Sequence, residues 1–76
     1  MTKRRFYTEL EFILGLEPNT IQGTEVLESL AGWDSVAKVS FIGMGYAELD
    51  ADISPEVLVA CKTVADLVSL FDGKIV

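Results

Sequence analysis

The stretch Trp33-Asp34-Ser35-Val36-Ala37-Lys38-Val39-Ser40-Phe41-Ile42-Gly43-Met44-Gly45-Tyr46-Ala47-Glu48-Leu49 decides how this chain folds. Asp34 has the short acceptor side chain that caps a helix by taking backbone N–H groups one turn on, and apolar Val36, Val39, Ile42, Met44, Tyr46 and Leu49 follow it. The segment therefore reads as a helix. Gly43 and Gly45 interrupt it, each costing about 0.8–1 kcal/mol against alanine in a helix interior, so tertiary packing has to hold its second half.

Toward the N-terminus, Phe6, Leu10, Ile13 and Leu14 fall on one stripe of a first amphipathic helix. Gly15 supplies a C′ residue tolerant of positive φ, Leu16 the accompanying apolar contact, and Pro18 prevents resumption. From Glu17 to Trp33 runs a long connection pinned by Ile21, Val26, Leu27, Leu30 and Trp33, with a helical turn predicted over Thr24 to Leu30. Toward the C-terminus, Ser54 before Pro55 starts a short third helix reaching Ala60. Thr63 with Asp66 three residues on opens a fourth along Val64, Leu67, Leu70 and Phe71, closed by Gly73. No strand is needed and no repeat is visible. The predicted fold class is all-α: one domain over 1–76, a small bundle of three main helices plus one short helix, with a long loop between helices one and two.

Length and composition agree with one thin core. A chain of 76 residues and 8.3 kDa buries only roughly 60–65% of its unfolded surface. Hydrophobic residues at 50% are too many for a disordered segment. Twelve carboxylates against six cations give a net charge of −6, and Lys3, Arg4 and Arg5 crowd half of those cations at the start. The remainder is strongly acidic, which repels phosphate backbones and anionic lipid, so no nucleic acid is expected as a partner. The longest internal stretch without charge, Val39 to Ala47, is nine residues, against about 20 for a membrane span. No membrane insertion is expected, and with Glu9 and Glu11 breaking any apolar leader a cytoplasmic location is expected. There is no histidine and one cysteine, which leaves no metal-ligand cluster and no Ser–His or Cys–His pair. The chain is not expected to be an enzyme by itself. Cys61 is expected to be a small buried thiol, and the apolar content matches one core, so a monomer is expected.

Around Leu27 to Val36 the chain reads Leu-Glu-Ser-Leu-Ala-Gly-Trp-Asp-Ser-Val, and with these residues it resembles the acyl carrier protein family. The resemblance covers nearly the whole chain: Leu14-Gly15-Leu16 ending helix one, Leu27 and Leu30 in the loop, Asp34-Ser35-Val36 opening helix two, Ile53 before helix three, and Thr63-Val64-Ala65-Asp66-Leu67 opening helix four. It implies that Ser35 carries 4′-phosphopantetheine, transferred from coenzyme A by a separate phosphopantetheinyl transferase. It also implies that the terminal thiol of that arm holds acyl groups as thioesters for acyl-loading and acyl-processing enzymes of fatty-acid, lipid or secondary-metabolite synthesis. A serine in the first turn of a helix stands beside unpaired N–H groups and the positive end of the helix dipole, which suits a phosphodiester.

The same resemblance assigns further roles. Asp34 both caps the helix and engages the transferase, and Val36 stands where the family places a larger apolar residue that partners grip. An acyl chain is expected between helices two, three and four, lined by Val39, Ile42, Ile53, Val57, Val64 and Leu67. Fatty-acid synthase carriers usually show several carboxylates along helix two. Here the only charge between Ser35 and Ala47 is Lys38, so the expected docking face, Val36, Lys38, Ser40 and Phe41 with Tyr46 beyond, is apolar and nearly neutral; the alternative is a rotation of the helix that makes Phe41 and Tyr46 ordinary core. A specialised carrier with dedicated partner enzymes is expected. Gly45 stands where related carriers commonly have a bulky residue facing the core, and with Gly43 it is expected to enlarge the acyl pocket. An aminoacyl or peptidyl carrier is the nearest alternative; such carriers more often show Gly-Gly before the modified serine, although the Trp-Asp-Ser form occurs in stand-alone aminoacyl carriers. An unmodified helical interaction module, with Ser35 only starting a helix, is the alternative from a different class.

Overall fold

A computed structural model describes all 76 residues, and they form four α-helices with no strand: α1 (Lys3–Leu14), α2 (Ser35–Leu49), α3 (Pro55–Ala60) and α4 (Val64–Ser69). The all-α bundle with a long first connection is the architecture expected. No helix is long and apolar enough to cross a membrane.

Local chemistry fixes most helix ends. α1 stops at Gly15, whose φ of 72° is left-handed, and the Leu16 and Gly15 N–H groups donate back to the Glu11 and Phe12 carbonyls at 2.9 and 3.2 Å. Ser54 caps α3 ahead of Pro55. Thr63 and Asp66 form a reciprocal capping box on α4. α2 is continuous through both glycines and ends at Asp50, which adopts φ 52°, while Lys74 Nζ donates to the Leu49 carbonyl at 3.0 Å. The regular part of α4 ends at Ser69, short of the expected Gly73. Tighter turns carry the chain on, with Phe71 donating to the Val68 carbonyl and Lys74 to that of Phe71. α4 is therefore as short as α3, and α1 and α2 are the two long members.

The core is aromatic at its centre. Phe6 of α1, Phe41 of α2 and Phe71 after α4 meet edge to face, with ring centroids 5.6–5.9 Å apart, and Trp33 stands edge-on to Phe41 at 6.0 Å. Leu10, Leu27, Leu58, Val64 and Leu67 close round these rings.

The long connection is held at both ends. Glu11, only 2% exposed, accepts from the Ile21 N–H at 2.9 Å and the Asn19 N–H at 3.2 Å, with Arg4 at 3.1 Å on the same carboxylate. Leu27–Ser29 forms the predicted turn as a short 3₁₀ helix. Its start is bridged to the α3–α4 connection, where Leu27 N–H donates to Lys62 and Val64 N–H to Glu25 at 2.8 and 3.0 Å. Gly32 then passes over the end of α1. At φ 89°, with a built Cβ 2.7 Å from the Leu14 carbonyl oxygen, this position admits only glycine without a shift of the backbone. That close passage delivers Trp33, Asp34 and Ser35 to the start of α2.

Candidate functional site

Asp34 is extended at φ −122°, and its Oδ1 accepts from the Ala37 N–H at 2.9 Å while its carbonyl accepts from Lys38 N–H at 3.0 Å. This is the predicted cap. Ser35 is the first residue of α2 and is exposed. The N–H groups of Ser35 and Val36 are left free by the cap, and they are the donors available to an anion attached at Ser35. Lys38, one turn along the helix, is half-buried and has no ion-pair partner, in a chain with twice as many acids as bases.

A cleft of about 300 Å³ opens beside Ser35 and Lys38. Its walls are Val39 and Ile42 from α2 and Pro55, Leu58 and Val59 from α3. A neighbouring cleft of about 340 Å³ shares Lys38, Leu58 and Val59 and continues past Trp33, Glu28 and Cys61 toward the 3₁₀ turn. Lys38 is the one cation common to both.

The structure brings some of the predicted pocket residues together and separates others. Val39 and Ile42 line the cleft by Ser35. Ile53, Val64 and Leu67 are buried in the core, and Val57 is partly exposed outside the cleft lining. Pro55, Leu58 and Val59 were missed. Their signal was the Ser54-Pro55 helix start, which sets the rotation of α3 and so the side that Leu58 and Val59 turn to α2. Gly45 is buried, and the space beside it is filled: a built Cβ would lie 3.1 Å from Cε1 and 3.3 Å from Cζ of Phe71. The expected enlargement is absent because the Phe71 ring takes the volume a larger side chain would need. Gly43 has nothing within 4 Å of a built Cβ and is exposed, so it widens no pocket either.

The predicted docking face is corrected at one position. Val36 is 74% exposed, Val39 70% and Tyr46 68%, with Ser40 also exposed. Phe41 is 0% exposed, because the rotation that turns Val36, Val39, Ser40 and Tyr46 outward points it at Phe6 and Phe71. The exposed face of α2 is apolar around a single positive charge.

Three titrating groups depart from ordinary behaviour. The Asp66 carboxyl is held below the usual range by the backbone N–H groups of Lys62 and Thr63, which favour its charged form. For Glu25, partial burial raises the value, but N–H donors from Gln22 and Gly23 outweigh it and hold the carboxyl low. Burial, and then the nearby Asp66 charge, push the Cys61 thiol up, and its Sγ donates to the Val57 carbonyl at 3.5 Å. Cys61 is half-buried at the cleft rim rather than in the core, and its raised pKa makes it a poor nucleophile.

No family model matches the chain, and neither a curated protein nor a solved structure is a match.

Proposed function

We propose that this protein is an acyl carrier whose Ser35 bears a 4′-phosphopantetheine arm taken from coenzyme A. The observation that supports the reading most is the juxtaposition at the start of α2. An exposed serine stands directly after its cap, with two free N–H groups beside it and an unpaired Lys38 one turn on, and all of this opens onto an apolar cleft. A helix start needing only a cap has no use for the cleft.

Each residue then has a task. Ser35 Oγ forms the bond to phosphorus and loses its proton, and the nucleotide portion of coenzyme A departs. The Ser35 and Val36 N–H groups and Lys38 receive the resulting anion. Asp34 holds the first turn in place and presents a carboxylate to the transferase. When attached, the arm supplies a terminal thiol that holds an acyl group as a thioester, while the chain supplies position and surface. Val36, Val39, Ser40 and Tyr46 form the surface that loading and processing enzymes grip.

Recovery of the protein from its native host tests the reading. Phosphopantetheine on the peptide containing Ser35 is expected. Its absence from folded protein in every growth state, with the serine unmodified, would favour an interaction module whose Asp34-Ser35 start is only a helix cap.

A further inference from the structure

The geometry points to the uncharged outward face of α2 as a self-association surface, on which a second copy of this chain packs antiparallel about a two-fold axis near Gly43. The pairing follows from the shape and charge of α2 and does not depend on the carrier reading.

At about 100° per residue, Val36, Val39, Ser40, Gly43, Tyr46 and Ala47 fall within an arc of about 120° on the side of α2 away from Phe41. All six are exposed, and none is charged, on a chain with twice as many acids as bases. Val39 also lines the cleft to which α3 contributes Val59, itself 75% exposed, so the apolar surface continues onto α3. Val36, Val39, Tyr46 and Val59 together present on the order of 400–500 Å² per copy, within the range of the largest apolar patches on monomers. Two such faces with their small neighbours approach the roughly 1,000 Å² that a specific interface needs.

Shape and charge both favour a second copy as the occupant. In the antiparallel arrangement Val39 meets Ala47 of the second copy and Tyr46 meets its Ser40, so a large side chain faces a small one at each step. Gly43 meets Gly43, and with nothing within 4 Å of a built Cβ there the two backbones approach closely. Asp50 is exposed at the end of α2, which is the unfavourable end of its own helix dipole for a carboxylate. In the pair it faces the start of the other α2, where the Ser35 and Val36 N–H groups are free. A foreign partner would have to supply such a carboxylate, whereas a second copy carries it. An anion attached at Ser35 would stand against that same carboxylate, so its arrival separates the copies and bares the face to other proteins.

Sedimentation equilibrium of the unmodified chain tests the proposal, with backbone amide shifts followed over the same concentrations. The mass is expected to rise from 8.3 kDa toward twice that value between about 5 and 500 µM, as a dissociation constant of about 50 µM gives. The shifts are expected along Val36, Val39, Ser40, Gly43, Tyr46 and Ala47. Gly43→Leu is expected to weaken association at least tenfold while the fold is no less stable in urea, because open space surrounds that position. Should that variant alter the fold, Tyr46→Ser at an exposed site gives the same readout. Asp50→Asn, which removes the carboxylate, and Ser35→Glu, which sets an anion against it, are each expected to weaken association several-fold, since each contact occurs twice. A single-copy mass up to about 500 µM, association unchanged in both Gly43→Leu and Tyr46→Ser, or shifts centred on the exposed Phe12 of α1 would overturn the proposal. Association that Asp50→Asn and Ser35→Glu both leave untouched would overturn the antiparallel arrangement. Because Ser35 carries nothing in these measurements, none of these outcomes bears on the carrier reading.

Discussion

Gly45 and Phe71 fit as a pair: the ring of Phe71 rests on the bare backbone of α2 at Gly45, closer than a neighbouring Cβ would ordinarily allow. Gly45→Leu is therefore an overpacking substitution, expected to cost about 1–3 kcal/mol in urea unfolding. Gly43, in the same helix and two residues earlier, has open space around it. Gly43→Ala is expected to stabilise by about 0.5–1 kcal/mol through helix propensity. Opposite signs in two such similar changes would confirm where the ring lies.

Glu11 is the buried anchor of the long connection, and removing it strands the buried Ile21 N–H and the Asn19 N–H. The Arg4 guanidinium is about half in solvent, so the loss falls mainly on those two amides. Glu11→Ala is expected to cost about 3 kcal/mol. Hydrogen exchange should show faster exchange at Ile21 before any change at the α4 cap.

Asp66 makes the joint between α3 and α4 sensitive to acid. Its carboxyl is lowered in the folded chain by the Lys62 and Thr63 amides, so the stability it contributes is fully present above the ordinary carboxylate range near ~3.9. That contribution is lost as pH falls through the lowered folded value. The native protein is expected to lose stability with acid more steeply than Asp66→Asn, and the difference between their unfolding curves should shrink toward the lowest pH.

Recognition through the exposed α2 face is expected to depend on apolar contact. Val36→Asp should leave stability within about 0.5 kcal/mol while slowing modification of Ser35 at least several-fold. The rate with the native transferase should vary little as salt is raised to about 0.5 M, where charge steering is screened out. A steep loss with salt would show instead that carboxylates elsewhere on the surface guide the encounter.

Much of this was legible because it is local. The Gly15 and Pro18 stop, the Ser54-Pro55 start, the Thr63 and Asp66 box and the Asp34 cap are each decided by neighbours within one turn, and each stands where the residues place it. What was not legible depends on rotation and distant partners. α2 is apolar nearly all round, so no stripe in it says that Phe41 points inward while Val39 points out. Gly45 reads as missing volume until Phe71, far along the chain, is seen to supply it. The anchoring role of Glu11 was not legible because its partners are backbone amides of a loop that follows no helical period. The α4 end was misplaced because Gly73 closes the chain's final turns, not the helix itself.

The central claim is tested most directly by intact mass of the protein, with Ser35→Ala alongside, after incubation with coenzyme A and a broad-specificity phosphopantetheinyl transferase. The account predicts one phosphopantetheine addition on the native chain and none on the variant, with both equally folded by circular dichroism. No addition to the folded native chain, or an addition that persists in Ser35→Ala, would contradict it.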